Sequence, residues 1–291
     1  MSSDRRPRWG AVAVGTPTED FEPKPATSAS YRPDTVADGW STDDFTVRLA
    51  SVRGYEHRHR GTPRQDDVAA LHHPATGAVA FAVADGVSSA PYSHIGATAA
   101  CRAALGRVVA DLDAGSAVDW SKVVEHAAWQ LVQQAAVVLG LDATDAARAE
   151  REMATTLVAG LVRPAPAGPD IALVRVGDSS AWVLRGGSFR PLFDADPAPG
   201  GGIAVSAVTA LPRVPDISVR GGTLAPGEVL LVGTDGFGDP LGDGTGGVGA
   251  HFAVRLAAPR PPLAFAHDLD FSRETFDDDR TLLALWARQM S

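Results

Sequence analysis

The sequence predicts an α+β domain in which antiparallel sheets are covered by helices, and three observations carry this prediction. Apolar strands joined by short turns outnumber the strand–helix–strand units that would build a parallel sheet. Two long segments with helical periodicity lie between an early and a late group of strands. The chain has 291 residues, of which 45% are hydrophobic, and this is enough for one sizeable core.

The first strands are expected from Phe45 onward, where apolar residues alternate with polar or small ones. Residues 67–73 and 78–84 are two apolar runs separated by the turn signal at 74–77. Together they predict a hairpin.

Two helices should follow this hairpin. Apolar residues at three- and four-residue spacings predict an amphipathic helix over 93–112. Asp119 is a suitable N-cap for a second helix, which ends at Gly140.

The second half of the chain returns to strands. Residues 194–226 are rich in Gly and Pro and have no regular hydrophobic period, as is typical of an active-site flap. Residues 249–269 are predicted to be helical, with proline interruptions. Strands are predicted at 155–162, 171–176, 181–184, 189–192, 228–234 and 281–286.

Residues 1–44 differ from the rest of the chain in composition and in hydrophobic periodicity. Prolines punctuate a stretch rich in Ser, Thr and Asp that has no sustained period. We expect an N-terminal tail over 1–44, flexible or partly docked through its aromatic residues, and a domain over 45–291.

Composition excludes several classes of protein. The net charge is −9 and no basic patch is evident, which disfavours nucleic-acid binding. The single cysteine, Cys101, excludes an intramolecular disulfide and a cysteine-rich zinc site. No apolar run reaches the ~18 residues of a membrane span, and the N-terminus lacks the apolar stretch of a secretion signal. We therefore expect a cytoplasmic protein without a membrane partner.

Carboxylates stand at four abrupt ends or starts of apolar strands, at Asp66, Asp85, Asp235 and Asp278. A strand end fixes a side chain on a rigid element. Several carboxylates that converge with no lysine nearby stay ionised only if a cation lies beside them. Oxygen ligands favour magnesium, manganese or calcium over zinc. The alternative is that each aspartate is an ordinary turn residue.

Two other functional motifs, a calcium-binding loop and a serine-hydrolase nucleophile, fit the sequence less well. Asp235 starts like a calcium-binding loop, but Pro240 occupies the position of the required glycine. Gly177-Asp178-Ser179 hints at a serine hydrolase centred on Ser179, yet the final glycine of the nucleophile elbow and a matching histidine are missing.

Six short motifs follow one another across about residues 45–288. They are Gly61-Thr62-Pro63-Arg64-Gln65-Asp66, Val83-Ala84-Asp85-Gly86, Met153-Ala154-Thr155-Thr156-Leu157, Val176-Gly177-Asp178-Ser179-Ser180, Thr234-Asp235-Gly236 and Asp278-Asp279-Arg280-Thr281. In this order the chain resembles the metal-dependent Ser/Thr protein phosphatases of type 2C, in a divergent bacterial form. The resemblance implies a four-layer αββα sandwich of two antiparallel β-sheets flanked by helices.

The resemblance also implies two divalent ions, manganese or magnesium, at one end of the sandwich. Asp85 would bridge both ions, and Gly86 would add its carbonyl. Asp235 and Asp278 would bind one of the ions, while Asp66 would act mainly through metal-bound water.

Further positions follow from the same resemblance. Glu152 stands where many relatives place a ligand for a weaker third ion. Arg60 and Arg64 flank the first motif as candidates for the phosphate-binding arginine, with Arg60 favoured. His57 and His94 are candidate proton donors to the leaving oxygen.

The implied activity is hydrolysis of phosphoserine and phosphothreonine in proteins by a metal-activated water. The partner would be a phosphorylated protein, either a Ser/Thr kinase or its target. Four positions depart from the family pattern, at Gln65, Val87, Ser180 and Asp279. They support an alternative, a weak or inactive phosphatase-like module that binds phosphoproteins and regulates them.

Overall fold

The computed structural model describes residues 12–19, 21–25, 32–193 and 209–288. Its strands are β1 (Val12–Ala13), β2 (Thr35–Ser41), β3 (Phe45–Val52), β4 (Asp67–His73), β5 (Ala78–Ala84), β6 (Leu157–Arg163), β7 (Asp170–Val176), β8 (Ser180–Arg185), β9 (Ser188–Pro191), β10 (Arg220–Thr223), β11 (Val229–Gly233), β12 (Phe271–Ser272) and β13 (Arg280–Ala287). Its helices are α1 (Tyr55–Arg60), α2 (Ser93–Asp113), α3 (Trp120–Leu139), α4 (Ala146–Met153), α5 (Asp235–Leu241), α6 (Gly247–Arg255) and α7 (Pro262–Leu269).

Two antiparallel sheets form the centre of the molecule. The five-stranded sheet has the order β10-β7-β6-β5-β4, and the six-stranded sheet has the order β2-β3-β13-β11-β8-β9. Chain neighbours β4 and β5 pair as a hairpin, whereas β13 pairs with β3 and β11, so the last strand of the chain closes the middle of its sheet. A short parallel pair, β1 with β12, lies outside both sheets.

The side-chain alternation of the strands produces four layers. In β5 the alanines at 78, 80, 82 and 84 pack under α2, α3 and α4, while Val79, Phe81 and Val83 face the other sheet. In β13, Leu283 and Leu285 face the first sheet, and the alternate residues pack under α5, α6 and α7. The predicted four-layer αββα sandwich is confirmed.

The principal elements were predictable from local pattern. The hairpin of β4 and β5 has the expected bounds, and α2 covers the expected helix. The Asp119 carboxylate accepts a hydrogen bond from the Lys122 backbone at 3.2 Å, and Gly140 ends α3 with a left-handed φ of 62°. Of the expected flap over 194–226, residues 194–208 lie outside the described residues, and the described remainder includes β10.

The N-terminal region contributes structure before Phe45. Strand β2 pairs with β3 along its whole length, so the boundary expected at residue 44 falls between two hydrogen-bonded strands. Asp34 forms a 3.0 Å ion pair with Arg53, whose guanidinium also donates to the Lys24 carbonyl. The tail prediction missed β2 because Thr35–Ser41 contains few large apolar residues for period-2 alternation.

No helix in the described part of the chain is both long and apolar enough to cross a membrane.

Candidate active site

Strand ends bring aspartates together at one end of the sandwich. Asp85 follows β5, Asp178 follows β7, and Asp235 follows β11 as the first residue of α5. Carboxylate oxygens of these three residues lie within 4.8 Å of one another. Asp278, which precedes β13, lines the same cavity of about 140 Å³.

The loop that carries Asp85 is fixed by the start of β6. The Asp85 backbone N–H donates to Thr156 Oγ1 at 3.0 Å, and its carbonyl accepts from the Thr156 N–H at 2.7 Å and from Thr155 Oγ1 at 2.8 Å. The two threonines of the third motif therefore hold the Asp85 backbone, which is why hydroxyl-bearing residues occur there.

Two glycines next to aspartates are required by close packing. A Cβ on Gly86 would lie 2.7 Å from the Ser93 side chain, and a Cβ on Gly236 would lie 1.8 Å from the Asp279 carbonyl oxygen. The Asp-Gly pairs thus let α2 and the Asp279 backbone approach the cavity wall.

Asp66 is buried behind the cavity and is held by two hydroxyls. Its Oδ2 accepts from Thr234 Oγ1 and from Thr281 Oγ1, each at 2.8 Å. Burial, together with the charges of Asp279 and Asp278, raises the pKa of Asp66 to about 8. A cation beside this carboxylate would favour its ionised form.

The other carboxyl groups of the cavity show the same crowding. Burial, followed by the charges of Asp66 and Asp235, raises the pKa of Asp85 well above its usual range. Burial raises the pKa of Asp235 to about 6. The donors are carboxylate and carbonyl oxygens, and their mutual repulsion needs a divalent charge, so the residues fit magnesium or manganese.

Asp178 is a candidate ligand that the sequence reasoning did not assign. Its signal was present, because Val176-Gly177-Asp178 is another strand end followed by an aspartate. Gly177 has a φ of 91°, and a Cβ there would lie 2.6 Å from Thr156 Cγ2. The turn after β7 therefore aims Asp178 toward Asp85 and Asp235.

Glu152, expected as a ligand for a third ion, has a different partner. Its carboxylate lies 3.0 Å from Arg148 Nε within α4. Glu152 does not line the cavity around Asp85, whereas Asp178 does. At residue 152 the backbone carbonyl accepts from the Tyr92 N–H at 2.7 Å and braces the loop before α2.

His57 lies between two carboxylates of the last motif. Its Nδ1 is 2.9 Å from Asp279 Oδ1, and its Nε2 is 4.0 Å from Asp278 Oδ1. Burial alone would lower the pKa of His57, but the contacts with Asp279 and the charge of Asp278 outweigh it and raise the pKa. The raised pKa favours the protonated form of His57, which contacts the two carboxylates that precede β13.

Asp279 departs from the family pattern, and the structure supplies the compensation. The buried carboxylate accepts from the Gly54 N–H at 2.6 Å and from the Gln65 N–H at 2.5 Å. Burial would raise the pKa of Asp279, but His57 and these backbone donors lower it. The backbone donors and the His57 contact at 2.9 Å therefore favour the ionised form of Asp279.

Arg64, expected as a candidate phosphate ligand, is buried and committed elsewhere. Its guanidinium donates to Ser51 Oγ and to the Asp66 carbonyl, both at 2.5 Å, and to the Pro33 carbonyl at 3.2 Å. Only 1% of the side chain is exposed, so it cannot reach a phosphate in the cavity. Arg64 instead fixes the backbone at Asp66.

Arg60 occupies the more open position. It ends α1, its side chain is 68% exposed, and it forms a 2.7 Å ion pair with Glu56. Both residues line a cleft of about 720 Å³ whose wall also includes Asp235 and Asp278. Arg60 therefore adjoins the carboxylates from the solvent side.

The serine-hydrolase alternative lacks an accessible nucleophile. Ser179 is fully buried, and its hydroxyl is paired with Thr156 Oγ1 at 2.7 Å. A nucleophile must reach its substrate, so the buried Ser179 is excluded as the nucleophile. Its side chain instead packs within the turn after β7.

Comparison with known proteins agrees with the fold of this chain. RsbX in complex with magnesium superposes with a TM-score of 0.55 at 12% identity, over 87% of this chain and 100% of that one. The S. agalactiae serine/threonine phosphatase has a TM-score of 0.56 at 16% identity, over 84% of this chain and 100% of that one. The catalytic domain of PstP with two manganese ions has a TM-score of 0.50 at 18% identity, over 84% and 99%. No curated protein matched the chain significantly. The family model described as Protein phosphatase 2C matches residues 53–263, and the chain therefore belongs to the protein phosphatase 2C family.

Proposed function

We propose that this protein is a metal-dependent phosphatase that removes phosphate from phosphoserine and phosphothreonine in proteins. The observation that carries the proposal is the convergence of Asp85, Asp178, Asp235 and Asp278 around one small cavity. Within a protein phosphatase 2C fold, such an oxygen-only cluster favours a hydrolytic metal centre.

The groups that would hold the ions line the cavity around Asp85. We assign Asp85, the Gly86 carbonyl, Asp235 and Asp278 to two divalent ions, manganese or magnesium. Buried Asp66 would act through metal-bound water. Asp178, rather than Glu152, would add the carboxylate for a weaker third ion, because it lines the cavity. Relatives whose structures contain magnesium or two manganese ions are consistent with this choice.

When bound, the ions would supply a water of lowered pKa and would neutralise phosphate oxygens. The chain's own residues hold this arrangement in place. Thr155 and Thr156 fix the Asp85 backbone, and His57 holds Asp278 and Asp279. Arg60 is our candidate for contacting the phosphate oxygens, because a guanidinium can bind them bidentately.

The substrate would enter from the larger cleft. That cleft of about 720 Å³ shares Asp235, Gly236 and Asp278 with the metal-binding end of the sandwich. It has room for residues that flank a phosphorylated side chain. We infer a phosphorylated cytoplasmic protein as the partner, either a Ser/Thr kinase or its target.

A second candidate function is binding of phosphoproteins without rapid hydrolysis. It is favoured by one observation: no arginine lines the cavity around Asp85 among the described residues. If Arg60 stays paired with Glu56, charge that develops on the phosphate oxygens has weaker stabilisation.

One assay separates these functions. Phosphate release from a phosphothreonine peptide is measured with manganese for the wild-type protein, Asp85→Asn and the exposed-residue control Asp142→Asn, and peptide binding is measured in parallel. We expect Asp85→Asn to lose about 10³-fold in rate, because losing a metal costs several kcal/mol of transition-state stabilisation. The control should keep its rate. Peptide binding without release by the wild-type protein would favour the second function, and equal rates for Asp85→Asn would contradict the assigned metal centre.

A further inference from the structure

A second polar cavity lies between α2 and α3, with Arg32 on its wall. Its volume is about 490 Å³, and its charged and polar lining includes Arg32, Arg102, His94, His126, Gln130 and Gln134. Its described lining residues are not shared with the cavities that contain Asp85, Asp235 or Asp278. It is therefore distinct from the candidate active site.

The lining of this cavity is positively charged, although the chain as a whole is acidic. The protein contains 35 acidic and 26 basic residues, yet the described lining includes two arginines and no carboxylate. A concave surface with cations and neutral hydrogen-bond donors has a positive potential. Such a surface attracts an anion.

Arg32 presents a fixed guanidinium to the cavity. It donates to the Arg64 carbonyl at 2.9 Å, to the Asp66 carbonyl and to Thr98 Oγ1 at 2.8 Å, and it lies 3.3 Å from Asp67 Oδ2. These contacts hold the side chain in one position, so binding an anion would cost little further ordering. Asp67 offsets part of its charge.

Arg102 supplies charge that the protein does not neutralise. It is exposed on α2, and no carboxylate among the described residues lies within 4.0 Å of its guanidinium. An unpaired arginine at the mouth of a cavity can form two parallel hydrogen bonds with one oxyanion.

The remaining polar groups can complete a coordination shell. His94 is buried, and its Nδ1 has no hydrogen-bond partner among the described residues. Burial and the nearby charge of Arg32 lower the pKa of His94 to about 4, which agrees with a positive environment. On α3, Gln130 and Gln134 are one helical turn apart and carry amide N–H donors.

We propose that this cavity binds a phosphate-bearing ligand, with Arg102 as the principal cationic contact and Arg32 as a fixed, partly neutralised charge on its wall. Phosphate fits better than a carboxylate, because several donors surround the space and phosphate offers more acceptor oxygens. The proposal does not depend on the hydrolytic activity proposed above.

The test uses the chelator-treated full chain, in which the carboxylate cluster repels anions. Inorganic phosphate is titrated while the unfolding temperature is measured, with sodium chloride at equal ionic strength and sodium acetate as comparisons. We expect a saturable rise with phosphate alone. Arg102→Gln should weaken the apparent affinity at least about tenfold, because a charge-assisted contact is lost. The exposed-arginine control Arg151→Gln should match the wild-type protein.

A crystallographic measurement locates the ion independently of stability. Crystals soaked in selenate should show an anomalous selenium peak beside Arg102 and Gln134. No saturable phosphate effect, an unchanged affinity in Arg102→Gln, or a selenium peak only outside this cavity would overturn the proposal.

Discussion

At the scale of single residues, the site is a problem of charge balance. His57 and two backbone N–H groups lower the pKa of Asp279, whereas Asp66 and Asp85 have raised pKa values because burial and neighbouring carboxylates oppose their ionisation. The protein therefore stabilises the ionised form of one aspartate by itself and leaves the others for a cation. This division separates residues that support the site from those that would bind metal.

The raised pKa values predict how the metal-free protein responds to pH. A carboxyl group with a higher pKa in the folded state stabilises the fold below its ordinary pKa of about 4, and this stability is lost as pH rises through the folded value. For Asp235 that value is about 6, and for Asp66 it is about 8. We expect the unfolding temperature of chelated protein to fall by about 5–10 °C between pH 5 and pH 8.

Manganese provides the matched comparison for this prediction. A bound divalent ion favours the ionised carboxylates, so the unfolding temperature of the manganese-loaded protein should depend less on pH in the same window. The measurement is differential scanning calorimetry at several pH values. An unfolding temperature that rises with pH in the chelated protein would show that the carboxylates are not crowded as the structure indicates.

At the scale of elements, the contact between α2 and α4 sets the position of the Asp85 loop. The Val87 N–H donates to the Ala154 carbonyl at 3.0 Å, directly beyond the end of α4. Gly96 makes this approach possible, because a Cβ there would lie 2.0 Å from the Met153 carbonyl oxygen. The two helices are thus packed backbone to backbone beside the site.

Two glycines of α2 provide a matched pair of variants. Gly96→Ala should lower the free energy of unfolding by about 1–3 kcal/mol, because the methyl group overpacks against α4. Gly106→Ala, which meets no atom within 4 Å, should raise it by about 0.5–1 kcal/mol through helix propensity. Urea unfolding of both variants measures these changes, and a stabilising effect of Gly96→Ala would contradict the described packing.

Local patterns determined how much of these elements could be predicted. The hairpin of β4 and β5 and the ends of α3 were accessible because turn residues and caps act over a few residues. Local patterns could not predict that Arg64 bonds to Ser51 or that His57 pairs with Asp279. Each of these contacts joins residues that are separated in sequence. Asp178 was accessible in principle, since its strand-end position repeats the pattern of Asp85.

At the scale of the whole molecule, the N-terminal region belongs to the sandwich in part. Strand β2 covers one edge of the six-stranded sheet, and Trp40 packs against the core between the sheets. Phe21 contacts Tyr55 and His59 at 6.2 and 5.4 Å between ring centroids, beside the larger cleft. We propose a domain that begins before residue 45.

Two truncations test where the domain begins. A chain starting at Thr35 retains β2, and a chain starting at Phe45 lacks it. We expect the shorter chain to unfold at least about 5 °C lower, because it exposes the β3 edge and loses the burial of Trp40. Equal unfolding temperatures in calorimetry would place the boundary near residue 44.

We propose that a cluster of strand-end aspartates makes this protein a metal-dependent phosphatase. The most direct test is to titrate manganese into chelator-stripped protein while phosphate release from a phosphothreonine peptide is recorded. We predict no release above background without metal, a saturable rise with manganese, and no rise at all for Asp278→Asn at the same concentrations. Full release from the stripped protein, or an undiminished response of Asp278→Asn, would contradict a catalytic metal centre at these aspartates.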